Sequence, residues 1–133
     1  MPFDDEDRAY GSQIQATLTD EDILAAYRLV GVPRRENYPL CDFVVPLDAQ
    51  GEVLVGSTDV ADVSWKVPTI QARVATHAIG TQLHTWQVTA QGQSPLAHKG
   101  MVHAAKAMAQ TAVMAFTDPE LRDAAHKAHP MPF

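Results

Sequence analysis

Carboxylates and hydroxyls are concentrated between Gly56 and Trp65, a segment that reads Gly-Ser-Thr-Asp-Val-Ala-Asp-Val-Ser-Trp. Asp59 and Asp62 lie three residues apart in it. Two carboxylates at this spacing can perform acid–base chemistry or orient neighbouring groups. The alternative is turn chemistry, in which Asp, Ser and Thr side chains bond the local backbone. The residues alone leave these two interpretations even.

Histidines are the other groups suited to metal or acid–base chemistry, because neutral imidazole offers a lone pair near neutral pH. The six histidines are at positions 77, 84, 98, 103, 126 and 129. None belongs to a His-Glu-x-x-His pattern, so a metal site must draw on distant residues. His84 follows the Gly80-Thr81 turn at an expected strand end, where Trp86 could wall a cleft. His98 precedes an expected helix, whose positive end favours a neutral imidazole. Without further information, a backbone-bonded or capping histidine is the simpler interpretation of both.

Other catalytic arrangements have less support in the sequence. Cys41 is the only cysteine, and a small buried thiol in a strand is a simpler interpretation than a nucleophile. Ser57, Asp59 and His84 could form a hydrolase triad, but the Gly-x-Ser-x-Gly elbow is missing. No glycine-rich phosphate loop is present either.

Composition bounds the class of protein. The 133 residues suit one domain at most, and a hydrophobic fraction of 46% is that of a globular chain. A net charge of −6 disfavours a nucleic-acid partner, since such binding needs a clustered basic surface. The sequence shows no signal peptide and no apolar run long enough for a membrane helix. A lone cysteine fits a reducing cytoplasm.

Four helices and four strands are expected from patterning and end signals. Helices are predicted over residues 4–18, 19–30, 100–116 and 119–127, and strands over 41–47, 52–55, 67–79 and 83–90. Met101, Met108 and Phe116 lie on the apolar stripe of the third helix. The spacing of Met101, Met108 and Met114 predicts core residues and not a ligand surface. This order of elements predicts an α/β fold, a few-stranded sheet with flanking helices.

Three segments together resemble the aminobenzoyl-glutamate utilisation B subfamily of zinc-dependent aminoacylase and carboxypeptidase amidohydrolases. They are Gly56 to Trp65, Gly80 to Gln87, and Ala97 to Lys106, and the resemblance extends from about Glu6 to Lys127. In the wider group a lid and dimerisation domain interrupts the catalytic α/β domain. The resemblance implies that residues 1–133 are the C-terminal segment of a catalytic domain, with the N-terminal half and the lid absent.

The resemblance also implies a chemistry. The group uses two metal ions, zinc or manganese, to hydrolyse an amide such as an aminoacyl or aroyl-glutamate. Its last metal ligand is a histidine of the C-terminal segment, for which His84 is the first choice and His98 the second. Asp59 would orient other groups, Asp62 is a further catalytic candidate, and Trp86 would contact substrate.

The other metal-ligand motifs of the group are missing from this sequence. The chain alone is therefore expected to be inactive and to bind metal weakly. The expected partners are a small amide substrate and, in the full-length protein, a second identical subunit. The alternative is a non-catalytic assembly module or remnant that complements a separate N-terminal half. In either case an apolar face should be exposed.

Overall fold

A computed structural model of the chain describes residues 3–52 and 58–129. Its helices are α1 (Asp5–Gln15), α2 (Asp20–Val30), α3 (Val60–Ser64), α4 (Trp86–Gln91), α5 (Pro95–Thr117) and α6 (Pro119–Ala128). Two compact units divide the chain. The first unit comprises residues 1–54 and 74–103, and the second unit comprises residues 55–73 and 104–133. No helix in the described ranges is long and apolar enough to cross a membrane.

The predicted α/β fold is wrong, because residues 3–52 and 58–129 contain no β-strand. Residues 41–47 and 67–79 are irregular chain, and most of the predicted strand 52–55 lies outside the described residues. The prediction of these strands rests on β-branched residues. Such residues favour a strand mainly because they pack well on a sheet, so their presence is weak evidence for a strand where no partner strand exists.

The predicted strand 83–90 contains the start of a helix. The Thr85 hydroxyl accepts a hydrogen bond from the Val88 N–H at 3.4 Å and so caps α4. The alternation of polar and apolar residues is misleading here, because a helix of only 6 residues is too short to show a clear 3.6-residue period.

The first two predicted helices are confirmed, and both begin at a capping box. In α1 the Asp4 and Asp7 side chains each bond the other's backbone N–H at 3.0 Å. Thr19 and Asp22 form the same reciprocal pair at the start of α2. Gly31 ends α2 in the left-handed region, with φ +70.

The last two predicted helices are also confirmed, although α5 begins earlier than expected. It starts at Pro95, whose fixed φ suits a first helical position, and the Ser94 hydroxyl accepts a bond from the Ala97 N–H at 3.2 Å. In α6 the Asp118 carboxylate accepts from the Leu121 N–H at 3.0 Å, and Pro119 occupies the first turn.

The buried core belongs to the first unit. It joins α1 and α5 to the loops at Leu40 and Ala78; its members are Phe3, Ile14, Leu40, Ala78 and Leu96. Leu40 is fully buried, and Gly11 lets it approach α1, since a Cβ there would lie 2.8 Å from the Leu40 Cδ2. Close packing of this kind fixes the elements of the first unit relative to each other.

Residues 58–73 and 104–129 of the second unit include no buried residue. Its helices expose large apolar side chains, with Met108 68% and Phe116 85% exposed. The prediction of core methionines is therefore wrong for Met101, Met108 and Met114, all of which are at least 45% exposed. The expected exposed apolar face is present.

Candidate functional site

A buried glutamine organises the segment that carries the first-choice histidine. Gln91 is fully buried, and its Oε1 accepts a 2.7 Å bond from the Ala78 N–H. Its Nε2 donates to the Thr81 hydroxyl and to the Gln87 carbonyl, both at 3.0 Å. With every side-chain group satisfied, Gln91 ties the start of the 80–87 segment to α4.

Gly80 has a structural role in the same segment. Its φ is +97, and a Cβ there would come within 3.0 Å of the Ile23 side chain. Only glycine adopts this backbone conformation without strain while lying against α2.

His84 lies on the exposed turn that leads into α4. Its φ is +62, in the left-handed region that non-glycine residues seldom adopt, although histidine is enriched there. Thr85 stabilises the turn by donating to the Gln82 carbonyl at 2.7 Å. Unusual backbone conformations cluster at functional sites. The structure thus presents the His84 imidazole to solvent, close in sequence to Trp86, which is 60% exposed.

His98 lies within α5 rather than before it, which corrects the expected position. Its side chain is exposed, and its N–H donates to the Ser94 carbonyl at 3.1 Å. It is in the first turn of that helix. Its role as a second-choice ligand stays a prediction.

Asp59 and Asp62 belong to the second unit, where a short helix replaces the expected turn between strands. Asp59 occupies the position before α3 but makes no capping hydrogen bond with its side chain, and both aspartates are exposed. Gly56 and Ser57, the start of this motif, lie outside the described residues. The catalytic roles of both aspartates stay predictions.

The described residues do not form a metal centre of their own. Residues 3–52 and 58–129 contain no group of three or more His, Cys, Asp or Glu side chains that could hold a metal ion. His84 and His98 belong to the first unit, and Asp59 and Asp62 to the second. A zinc or manganese site would therefore need further donors.

His77 was not singled out from the sequence. Its ring Nδ1 lies 2.9 Å from the Thr76 hydroxyl, and partial burial lowers the pKa of this imidazole. The ring is therefore neutral at neutral pH. No local motif surrounds His77, so the sequence carries no signal of its partial burial. That burial follows from its place next to Ala78, which is buried.

An ion cluster joins α1 to α5. The Lys99 ammonium donates to the Asp4 carboxylate at 2.6 Å and to the Asp7 carboxylate at 2.5 Å, and Asp7 is only 4% exposed. The hydrogen bond from Lys99 is the main cause that lowers the pKa of Asp4 to about 2, and the pKa of Lys99 is raised in turn. Asp4 and Lys99 therefore keep their charged forms near neutral pH, so this ion cluster is a structural feature and not an acid–base pair.

Cys41 is half-buried, and burial raises the pKa of its thiol. The thiol lies 3.6 Å from the Phe43 carbonyl. A protonated thiol is a poor nucleophile, which supports the structural interpretation, although the residue is in irregular chain and not in a strand.

No protein-family profile matches the chain. No solved structure matches it either. The chain is similar to one of the subunits of the p-aminobenzoyl-glutamate hydrolase of Escherichia coli (strain K12), with 40% identity over an alignment of 137 positions. The alignment covers 96% of this chain and 28% of the relative, so the chain spans little more than a quarter of that protein. The resemblance expected from the sequence is thereby confirmed over nearly the whole chain, and the match is consistent with a C-terminal segment.

Proposed function

We propose that the chain is part of an amidohydrolase that cleaves an aroyl- or aminoacyl-glutamate amide such as p-aminobenzoyl-glutamate. Water would add across the amide C–N bond, releasing the carboxylic acid of the acyl group, which is p-aminobenzoate for p-aminobenzoyl-glutamate, and glutamate. The observation that carries this proposal is the 40% identity to a p-aminobenzoyl-glutamate hydrolase subunit over 96% of the chain.

The chain would act together with further polypeptide. The relative is much longer than the matched region, and the second unit exposes apolar side chains that a larger protein would cover. Because the relative is named as one subunit of its hydrolase, the partners would include a second kind of subunit. Pairing of identical subunits also remains our expectation.

In this larger protein His84 would contribute one donor to a zinc or manganese site. Its exposure supports the assignment, because an exposed imidazole can reach donors on further polypeptide. Its left-handed backbone conformation supports it as well, because such conformations cluster at functional sites. The aspartates at 59 and 62 would orient neighbouring groups, and Trp86 would contact substrate.

A chimera tests the proposed function. Residues 1–133 replace the matching segment of the E. coli subunit, and release of p-aminobenzoate from p-aminobenzoyl-glutamate is measured with the second kind of subunit present. We expect the chimera to hydrolyse this substrate, whereas a subunit from which the segment is deleted should not.

A second outcome would favour the alternative of a non-catalytic assembly module. A chimera that folds and assembles with its partner, but hydrolyses none of a panel of acyl-glutamates, would show that this chain keeps the contacts and has lost the chemistry. In that case restoring the relative's own residues at the 80–87 segment alone should not recover activity, because catalytic residues would have been lost at several places along the chain.

A further inference from the structure

The arginines of the first unit differ in what their guanidinium groups contact. Arg8 pairs with Asp42 at 2.6 Å, Arg34 pairs with Asp20 at 2.6 Å, and Arg28 pairs with Glu21. Within the described parts of the chain, Arg35 forms no such ion pair. Its charge is therefore not committed to a carboxylate of residues 3–52 or 58–129.

Arg35 instead stacks on aromatic rings. Its Cζ lies 3.8 Å from the centre of the Phe43 ring and 5.5 Å from that of Tyr38. The two rings meet edge to face, with centres 6.2 Å apart. A guanidinium that contacts an aromatic ring through its face can still donate through the N–H groups in its own plane.

The loop that carries these three residues, Arg35 to Phe43, is fixed to the core. The Tyr27 hydroxyl donates to the Arg35 carbonyl at 3.3 Å, and the Ile79 N–H donates to the Pro39 carbonyl at 2.9 Å. Leu40, in the middle of the loop, is fully buried. A cation placed on so firmly anchored a loop loses little freedom when it binds an anion.

We infer that Arg35, with Tyr38 and Phe43, binds a carboxylate of the acidic amide substrate. A guanidinium matches a carboxylate with two parallel N–H···O bonds, and the neighbouring rings offer an apolar surface to the rest of such a molecule. The inference rests on the proposed function for the substrate class, since an acyl-glutamate carries two carboxylates at its glutamyl end. Arg35 would be a specificity residue and not a catalytic one.

Steady-state kinetics of the chimera described above test the inference. Arg35→Gln should raise KM for p-aminobenzoyl-glutamate about tenfold or more, the effect of losing a charge-assisted pair, with kcat little changed. Arg34→Gln is the matched control, because it removes the same charge from the neighbouring residue. It should change KM far less, since Arg34 is already paired with Asp20.

The p-aminobenzoyl-glutamate diamide, which has no carboxylate, supplies the second arm. The unsubstituted chimera should bind it about tenfold more weakly than the free acid, and Arg35→Gln should weaken diamide binding no further. Equal effects of Arg34→Gln and Arg35→Gln, or equal loss for acid and diamide, would overturn the inference. Destabilisation by Arg35→Gln without any change in KM would show instead that the guanidinium pairs with a carboxylate of another polypeptide.

Failure of the proposed function would be recognised separately. If the chimera hydrolyses neither compound, calorimetric binding of p-aminobenzoyl-glutamate to the folded chimera decides the matter. Weaker binding to Arg35→Gln than to Arg34→Gln would uphold the carboxylate site, and equal binding would refute it.

Discussion

The two units of the chain differ in how completely they bury their own side chains. In the first unit Leu40, Leu96 and Gln91 are less than 2% exposed, and the buried polar groups all have hydrogen-bond partners among the described residues. In the second unit no described residue is buried, and an apolar groove of about 690 Å³ lies between residues 67–70 and helices α5 and α6.

This difference indicates what each unit needs. The first unit buries apolar side chains of its own, and its buried polar side chains have hydrogen-bond partners among the described residues. The second unit has helices with caps and good local sequence, but helices of this length gain most of their stability from packing an apolar face. Four predictions test this contrast and the chemistry assigned to each unit.

The largest expected effect concerns activity. In the chimera with the E. coli subunit, His84→Ala should lower kcat/KM for p-aminobenzoyl-glutamate by several orders of magnitude, because a metal donor would be lost. Asp59→Asn, in the second unit, should cost less, about 10- to 100-fold, as expected of a group that orients others.

His103→Ala is the control for His84→Ala, since it removes an exposed histidine of α5 and should change activity little. Equal losses from the two alanine substitutions would show that the assignment of His84 is wrong. A greater loss from Asp59→Asn than from His84→Ala would move the chemistry to the second unit.

The next prediction compares stability in the two units. Leu40→Ala removes a fully buried side chain and should lower the free energy of unfolding of the first unit by about 2–5 kcal/mol. Phe116→Ala removes a larger side chain of the second unit that is 85% exposed. It should change the free energy of unfolding of the second unit by less than about 0.5 kcal/mol.

Urea denaturation of the isolated chain, followed by circular dichroism, measures both changes. If Phe116→Ala cost as much as Leu40→Ala, the second unit would have a core that its exposed helices do not reveal. In the chimera the cost of Phe116→Ala should rise, since further polypeptide would cover that face.

The helices could be predicted from sequence because their signals are local. The capping pairs at Asp4 and Thr19, the glycine at 31 and the proline at 119 each act within one turn. The sheet was wrongly predicted because a strand depends on a partner that no local pattern specifies.

The candidate site could be predicted only in part, for a related reason. His84 and Asp59 were selected by motif, and the structure shows that both are exposed. The stacking of Arg35 on Phe43 could not be foreseen, because it depends on the left-handed turn at Asn37 and on contacts between loop and core.

A smaller effect should separate two glycines of the first unit. A Cβ at Gly100 would lie 2.2 Å from the Ala75 carbonyl oxygen, so Gly100→Ala must displace backbone and should cost about 1–3 kcal/mol. At Gly92 the nearest atom would be 3.6 Å away and φ is −59. Gly92→Ala should therefore stabilise the chain by about 0.4–1 kcal/mol. Thermal unfolding of both variants checks the signs, and destabilisation by both would show that α4 is under tighter constraint than its contacts indicate.

The smallest expected effect is the acid dependence of the first unit, which arises from the Lys99 ion cluster. The pKa of Asp4 is lowered to about 2 from 3.8, chiefly by the hydrogen bond from Lys99. The folded chain thus holds fewer protons here than the unfolded chain, so the stabilisation is complete above the pKa that Asp4 has in the unfolded chain and is lost as the pH falls towards 2.

Asp4→Asn should flatten the fall in unfolding free energy across this pH window. Lys99→Met should flatten it at least as much, because it removes the principal cause of the lowered pKa. Urea titrations at a series of pH values between about 2 and 5 measure the slope. An unchanged slope in both variants would mean that Lys99 contributes no more than an exposed surface charge, and that packing alone joins α1 to α5.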